Sequence, residues 1–198
     1  MTFWSVLPCR GDPDRTSTAP RRGRPGYRDR VTVAIRQVHS ADLDDALLAV
    51  LIDIERTSAA PFAELGITFP PDDPGAMLRA SEYVLIAGDP PQGFAAVGEL
   101  DGAAHLEQIS VAPSSMRQGV GTALLEAVIA TSTAAGRDRL VLTTFRDIPW
   151  NGPWYLRHGF NPVSMADCPA GLREVWRAEI RGGLEELGVR VAMARPLG

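Results

Sequence analysis

A chain of 198 residues, 45% hydrophobic and 22% charged, has the composition of a globular domain, and no apolar run approaches the length needed to cross a bilayer, so no membrane association is expected. All 20 basic residues are arginine, and the net charge of −4 hides a division: residues 1–30 hold seven arginines against three aspartates, the rest 13 arginines against 21 acids. A folded part this acidic argues against a nucleic-acid partner and is compatible with a cationic amine. Cys9 and Cys168 give neither a disulfide framework nor a metal-site spacing, so no metal is expected and a reducing cytoplasm is the simplest location.

Residues 1–30 are rich in Pro, Gly, Arg and Ser without an apolar period, and are expected to be a disordered extension. Phe3 to Leu7 is too short an apolar core for a signal peptide. The folded domain is expected over 31–198, opening with a strand at 31–38, VTVAIRQV. Ser40 can cap the following helix, whose apolar face would be Leu43, Leu47, Val50, Leu51 and Ile54. A stretch broken by Pro61, Gly66, Pro70, Pro71 and Pro74 comes next. Its acids Glu64, Asp72 and Asp73, with Glu55 before them, either meet an amine or are solvated; Phe62 and Phe69 either wall a pocket or plug the core.

Strands are expected at 82–88 and 93–100, joined through Asp89-Pro90-Pro91-Gln92, and Asp101-Gly102 is a two-residue hairpin turn leading into the central strand, 103–111. Period-two alternation puts His105, Glu107, Ile109 and Val111 on one face of that strand and Leu106, Gln108 and Ser110 on the other. Pro113 stops it. The turn Met116 to Thr122 contains Gly119 and Gly121, which let a ligand approach the backbone. The helix that follows, with Val120, Leu124, Leu125, Val128 and Ile129 on its apolar stripe and Gly136 at its end, begins with N–H groups lacking intrahelical partners. Such donors at the positive end of a helix dipole suit a diphosphate, with Arg117 adding charge at the rim; the plainer alternative is a tight turn before a core helix. The turn is not a dinucleotide fingerprint, because Leu124 stands where a third glycine would, and no Gly-Lys-Ser or Gly-Lys-Thr of a P-loop occurs.

In residues 140–160 a β-rich part precedes Pro149, Gly152 and Pro153, which start a short helix that Gly159 ends. Trp154 and Tyr155 lie at its beginning, Tyr155 four residues before Gly159-Phe160. Beyond, Leu172, Val175, Trp176, Ile180 and Leu184 make one side of a helix weakened by Gly182 and Gly183, and VRVAMA, 189–194, is the last strand.

The strand, glycine turn and helix of 103–136, followed by a tyrosine before Gly159-Phe160, resemble the GNAT superfamily of acyl-CoA N-acyltransferases over roughly residues 31–165. The resemblance implies an α/β (α+β) fold with a mixed, mostly antiparallel sheet of about seven strands and helices on both faces. It also implies acetyl-CoA as cosubstrate, a small-molecule or peptide amine as acceptor, and a possible homodimer. Ile109, Ser110 and Val111 would offer backbone groups to the pantetheine arm, and Arg117, Gln118, Gly119, Val120, Gly121 and Thr122 would cradle the diphosphate. Tyr155 would protonate the departing thiolate. Met116 departs from the family's Arg or Gln three residues before the first glycine, and Asn151, expected at the cofactor, stands where many members carry alanine. Glu107 or His105 could take the proton from the amine; the alternatives are a surface carboxylate and a half-buried histidine. The position of the glutamate in the branch that acetylates protein N-termini is Thr143 here, and that of the histone-acetylating branch is His105. A non-catalytic acyl-CoA sensor is the competing function.

Overall fold

The computed structural model describes residues 33–198; the arginine-rich segment, and Val31 and Thr32 of the expected first strand, lie outside the described residues. Strand β1 (Ile35–His39) leads through one 3-10 turn into α1 (Asp45–Ser58), followed by the short helices α2 (Ala60–Ala63) and α3 (Pro74–Ala80). A meander of β2 (Tyr83–Ala87), β3 (Gly93–Leu100) and β4 (Ala103–Val111) then gives way to α4 (Val120–Ala134), β5 (Arg139–Phe145), α5 (Gly152–Arg157) and β6 (Asn161–Val163). Helices α6 (Ala170–Arg181) and α7 (Leu184–Leu187) precede β7 (Arg190–Pro196). The seven strands form one sheet in the order β1-β2-β3-β4-β5-β7-β6. All neighbours are antiparallel except β4 and β5, which are parallel because α4 carries the chain back across the sheet.

Sequence chemistry accounts for most boundaries. Asp101 and Gly102 both have positive φ, 51° and 81°, as a tight hairpin between β3 and β4 requires. Helix α4 buries Val120, Leu124, Leu125 and Val128, the expected stripe, against Leu85, Val97, Leu106 and Leu140, and Tyr155 and Phe160 complete that side of the core. On the opposite face Leu51, Ile54 and Leu78 from α1 and α3 cover Val84, Ile86 and Phe94, while Leu172 from α6 covers Val141 and Ala192.

Three local expectations are corrected. Ser40 does not cap α1: it opens the 3-10 turn and its hydroxyl donates to the Ser81 carbonyl, while Asp44 accepts from the Leu47 N–H at 2.7 Å and is the cap. That shift rotates the helix, so Leu48 is buried and Val50, 42% exposed, is not on the core face. The last helix pattern is two helices, because Gly183 at φ 87° breaks the chain between Arg181 and Leu184, and Ile180 is left exposed.

The fourth correction governs the site. The β3–β4 register slips between Ala96, opposite Gln108, and Val97, opposite Leu106, so Glu107 is an extra residue, a β-bulge. Alternation therefore reverses at this point. Leu106 below the bulge and Ile109 and Val111 above it all pack toward α4, whereas Glu107 and Gln108 are released to the other face. Glu107 and His105 do not share a face with Ile109 and Val111.

Candidate active site

The bulge coincides with a second irregularity. β4 and β5 pair only at Ala104–Leu140 and His105–Val141, yet β4 continues to Val111 and β5 to Phe145. Above His105 the two strands diverge, and the edge of β4 that carries Ile109, Ser110 and Val111 has no strand partner on the β5 side. Unpaired backbone N–H and C=O groups along such an edge are ready partners for an extended ligand.

At the top of this gap, on the α4 side, stands the glycine turn. Gly119 (φ 88°) and Arg117 (φ 59°) both adopt the left-handed region, uncommon for arginine, and the first helical bond of α4 runs from the Ala123 N–H to the Gly119 carbonyl at 2.9 Å. The amides of Val120, Gly121 and Thr122 thus lie ahead of the helix's own hydrogen-bond ladder, and no side chain caps them. Gln118 turns back to donate to the Ser114 carbonyl at 2.7 Å, so its amide braces the turn rather than reaching outward. Arg117 and Met116 border an open cleft of ≈ 380 Å³ with Pro113, Ala60, Pro61 and Glu64.

Across the gap, the start of α5 is pinned to the end of β5. Asn151 Nδ2 donates to Thr144 Oγ1 at 2.9 Å, and the Asn151 carbonyl accepts from the Trp154 and Tyr155 N–H groups. Asn151 Oδ1 is buried with no partner among the described residues. An acceptor left in that state is what an amide N–H of a bound ligand would satisfy, so the residues fit an acyl-CoA arm, with its diphosphate at the α4 N-terminus. Tyr155 is 6% exposed and its ring packs against Trp154 and Phe160 with centroids 4.9 and 5.3 Å apart. Burial raises the phenol's pKa well above its ordinary value, outweighing the opposing pull of the Arg190 charge, so the hydroxyl keeps its proton. His158 Nδ1 donates to the Trp154 carbonyl, 2.8 Å away, and closes the helix end.

The opposite face carries the groups able to accept a proton. Glu107 accepts from Ser81 Oγ at 2.6 Å; burial raises its carboxyl pKa more than that bond lowers it, which makes it a stronger base than a surface glutamate. Gly98 leaves room for it, since a Cβ there would collide with Glu107 Oε1. Glu55, half-buried on α1, is likewise raised by burial and by the charge of Asp72. Phe62 and Phe69 plug none of the core clusters: they form an aromatic group with Phe145 and Trp150, Phe62 lying 5.0, 6.2 and 5.5 Å from the other three rings. Gln108, Ser81, Glu179 and Arg190 were not anticipated. The three-residue spacing of Leu106 and Ile109 in a strand was the signal for the bulge that exposes Gln108; nothing local points to the others.

His105 is 7% exposed, and burial lowers its pKa to about 4, so it is neutral at pH 7. The unfolded chain, with an ordinary histidine near 6.5, binds the proton first, so the stability conferred by neutral His105 is complete above pH 6.5 and is lost as pH falls toward 4. The shift corresponds to about 3 kcal/mol. Urea unfolding of wild type and His105→Gln across that range is expected to show a steeper acid loss in the wild type by that order; parallel curves would assign the acid loss to carboxylates alone.

An open sheet split between two parallel strands, with uncapped helix-start amides at the split, offers an extended anionic ligand both a free strand edge and a set of donors. Residues 80–162 match the family model described as an acetyltransferase (GNAT) domain. Among solved structures, the chain is similar to an acetyltransferase of the GNAT family from Staphylococcus aureus Mu50, with 18% identity, TM-score 0.62, and coverage of 83% of this chain and 100% of that one. It is also similar to the ribosomal-protein-S18-alanine N-acetyltransferase from Escherichia coli, at 19% identity, TM-score 0.56, and coverage of 83% and 95%. N-acetylglutamate synthase from Neisseria gonorrhoeae, complexed with coenzyme A and N-acetyl-glutamate, matches at 23% identity and TM-score 0.58 over 84% of this chain. The chain spans only 35% of that synthase's length. Over residues 80–162 the chain is thus similar to an acetyltransferase (GNAT) domain, and its fold is that of these solved structures.

Proposed function

We propose that the chain transfers an acetyl group from acetyl-CoA to the amine nitrogen of a small molecule or peptide by direct attack on the thioester. The observation that carries this reading is the split between β4 and β5, which has the glycine turn and Tyr155 on one face of the sheet and Glu107 on the other. Two reactants entering from opposite faces would meet in the gap, without the chain having to form a covalent intermediate. Glu107, directly or through water, takes the proton that an alkylammonium must lose before it can attack. Tyr155 holds a proton that it gives to the departing sulfur. Ile109, Ser110 and Val111 hold the cosubstrate's arm, and the amides of Gly119 to Thr122 its diphosphate. Coenzyme A in one neighbour, and alanine N-acetylation in the name of another, support the reading.

The test is thiol release from acetyl-CoA with a panel of amines, amino acids, antibiotics and peptides, alongside calorimetric titration with coenzyme A. Acceptor-dependent release is expected. Coenzyme A binding without release for any acceptor would favour a sensor, and absence of coenzyme A binding would overturn the assignment of the glycine turn.

A further inference from the structure

Arg190, the first residue of β7, pairs with Phe145 at the upper end of β5, beside the split. Its side chain is only 8% exposed. Nε donates to Glu179 Oε2 at 3.2 Å and Nη2 to Glu179 Oε1 at 2.7 Å, a side-on grip that uses one edge of the guanidinium. Nη2 also reaches Thr143 Oγ1 at 3.2 Å, which itself donates to Glu179 Oε1 at 2.6 Å. Nη1, on the other edge, has no acceptor among the described residues. The guanidinium carbon lies 4.6 Å from the centroid of the Phe145 ring, so the group is stacked where Phe62, Phe69 and Trp150 converge.

A guanidinium has five donors in a rigid fork; with one edge spent on Glu179 and Thr143, the other is left open to solvent or a ligand. Glu179 does not supply the free carboxylate that Thr143 lacks, because it is committed to Arg190. What it does is hold the fork in one orientation, with the open edge held beside the aromatic group. We propose that this edge binds a carboxylate, and that the acceptor is an amine that itself carries one, an amino acid in the broad sense. The proposal rests on the acetyltransferase reading of the same cleft. The charges balance: Arg190 and Glu179 offset each other, and a zwitterionic acceptor brings an ammonium for the acidic side, where Glu107 and Glu55 lie, with a carboxylate for Nη1. Stacking on Phe145 and partial desolvation strengthen such a contact relative to one in water.

The experiment compares L-amino acids and ω-amino acids from β-alanine to 6-aminohexanoate with their amides, in wild type and in the double variant Arg190→Gln/Glu179→Gln, which leaves no orphaned charge. Thiol release and, separately, thermal shift in the presence of coenzyme A are read. At least one acid is expected to exceed its amide in kcat/KM by about 10–100-fold, the size of a charge-assisted hydrogen bond, and to raise Tm. In the double variant that preference is expected to fall to roughly threefold or less with the Kd for coenzyme A unchanged. Amides that serve as well as acids, a preference that survives the double substitution, or a panel in which no acid raises Tm or releases thiol would each overturn the proposal. An acid that raises Tm in wild type but not in the variant, with no thiol released by any acceptor, would uphold the carboxylate site and sink the transferase reading instead.

Discussion

Tyr155→Phe is expected to lower kcat for acetyl transfer by about 10²–10⁴-fold, the usual contribution of a positioned general acid, with the Kd for coenzyme A changed by no more than about twofold. The substitution removes one oxygen and leaves the ring between Trp154 and Phe160, whose centroids lie 4.9 and 5.3 Å away, so neither the core nor the gap should collapse. Because burial holds the phenol protonated far above neutral pH, the basic limb of a pH–rate profile should not belong to Tyr155. The acid limb belongs to the base, and its midpoint should lie above that of an ordinary glutamate if Glu107 is that base. Steady-state kinetics from pH 5 to 9 on wild type, Tyr155→Phe and Glu107→Gln check both statements. A Tyr155→Phe enzyme within about threefold of wild type would remove the residue from the chemistry.

The second large effect belongs to Gly152. A Cβ at this position would drive far into the Arg146 carbonyl oxygen and come within 3.0 Å of both the Arg146 carbonyl carbon and the Phe145 oxygen. All three are backbone atoms at the end of β5, so no side-chain rotation relieves the clash and α5 must move. Gly152→Ala is expected to cost about 1–3 kcal/mol of stability, as overpacking does, and to lower kcat about 10²-fold by displacing Tyr155 and the Asn151–Thr144 contact. Gly121→Ala is the counterpart. Its Cβ would meet only Val111 Cγ2 at 3.7 Å, ordinary contact, and alanine is favoured over glycine within a helix by roughly 0.5–1 kcal/mol. The free protein should therefore be as stable or more so, and a weakened affinity for coenzyme A would report a ligand against that backbone. Urea midpoints with coenzyme A titrations separate the two variants; equal stability of Gly152→Ala and wild type would mean that α5 has slack the packing does not suggest.

Much of the architecture was legible because its signals are local. The hairpin at Asp101-Gly102, the stripe of α4 and the helix that Gly152 starts and Gly159 ends each depend on a few adjacent residues. Coverage of the glycine turn was equally readable, since helix-start amides need only sequence order to be found. Reading failed where two distant segments decide one outcome. Ser40 has the right side chain for a cap but spends its hydroxyl on Ser81, forty-one residues away. Arg190 and Glu179 meet only because α6 folds back over β5. Strict alternation misplaces Glu107 for a subtler reason: the apolar residues of the strand, Leu106 and Ile109, are three apart.

That spacing has a further consequence. With Glu107 deleted, Leu106, Gln108, Ile109, Ser110 and Val111 would alternate inward and outward without interruption, in register with β3. A more regular sheet thus lies a single codon away, with the same apolar residues turned toward α4 and every β3 pairing kept. The existing chain keeps its irregularity against that nearby alternative, and the residue that breaks the rhythm is the one carrying the carboxylate. Under the proposed mechanism, disorder in the pleat and the base in the cleft have one source, so a smooth strand and a carboxylate at this position are mutually exclusive.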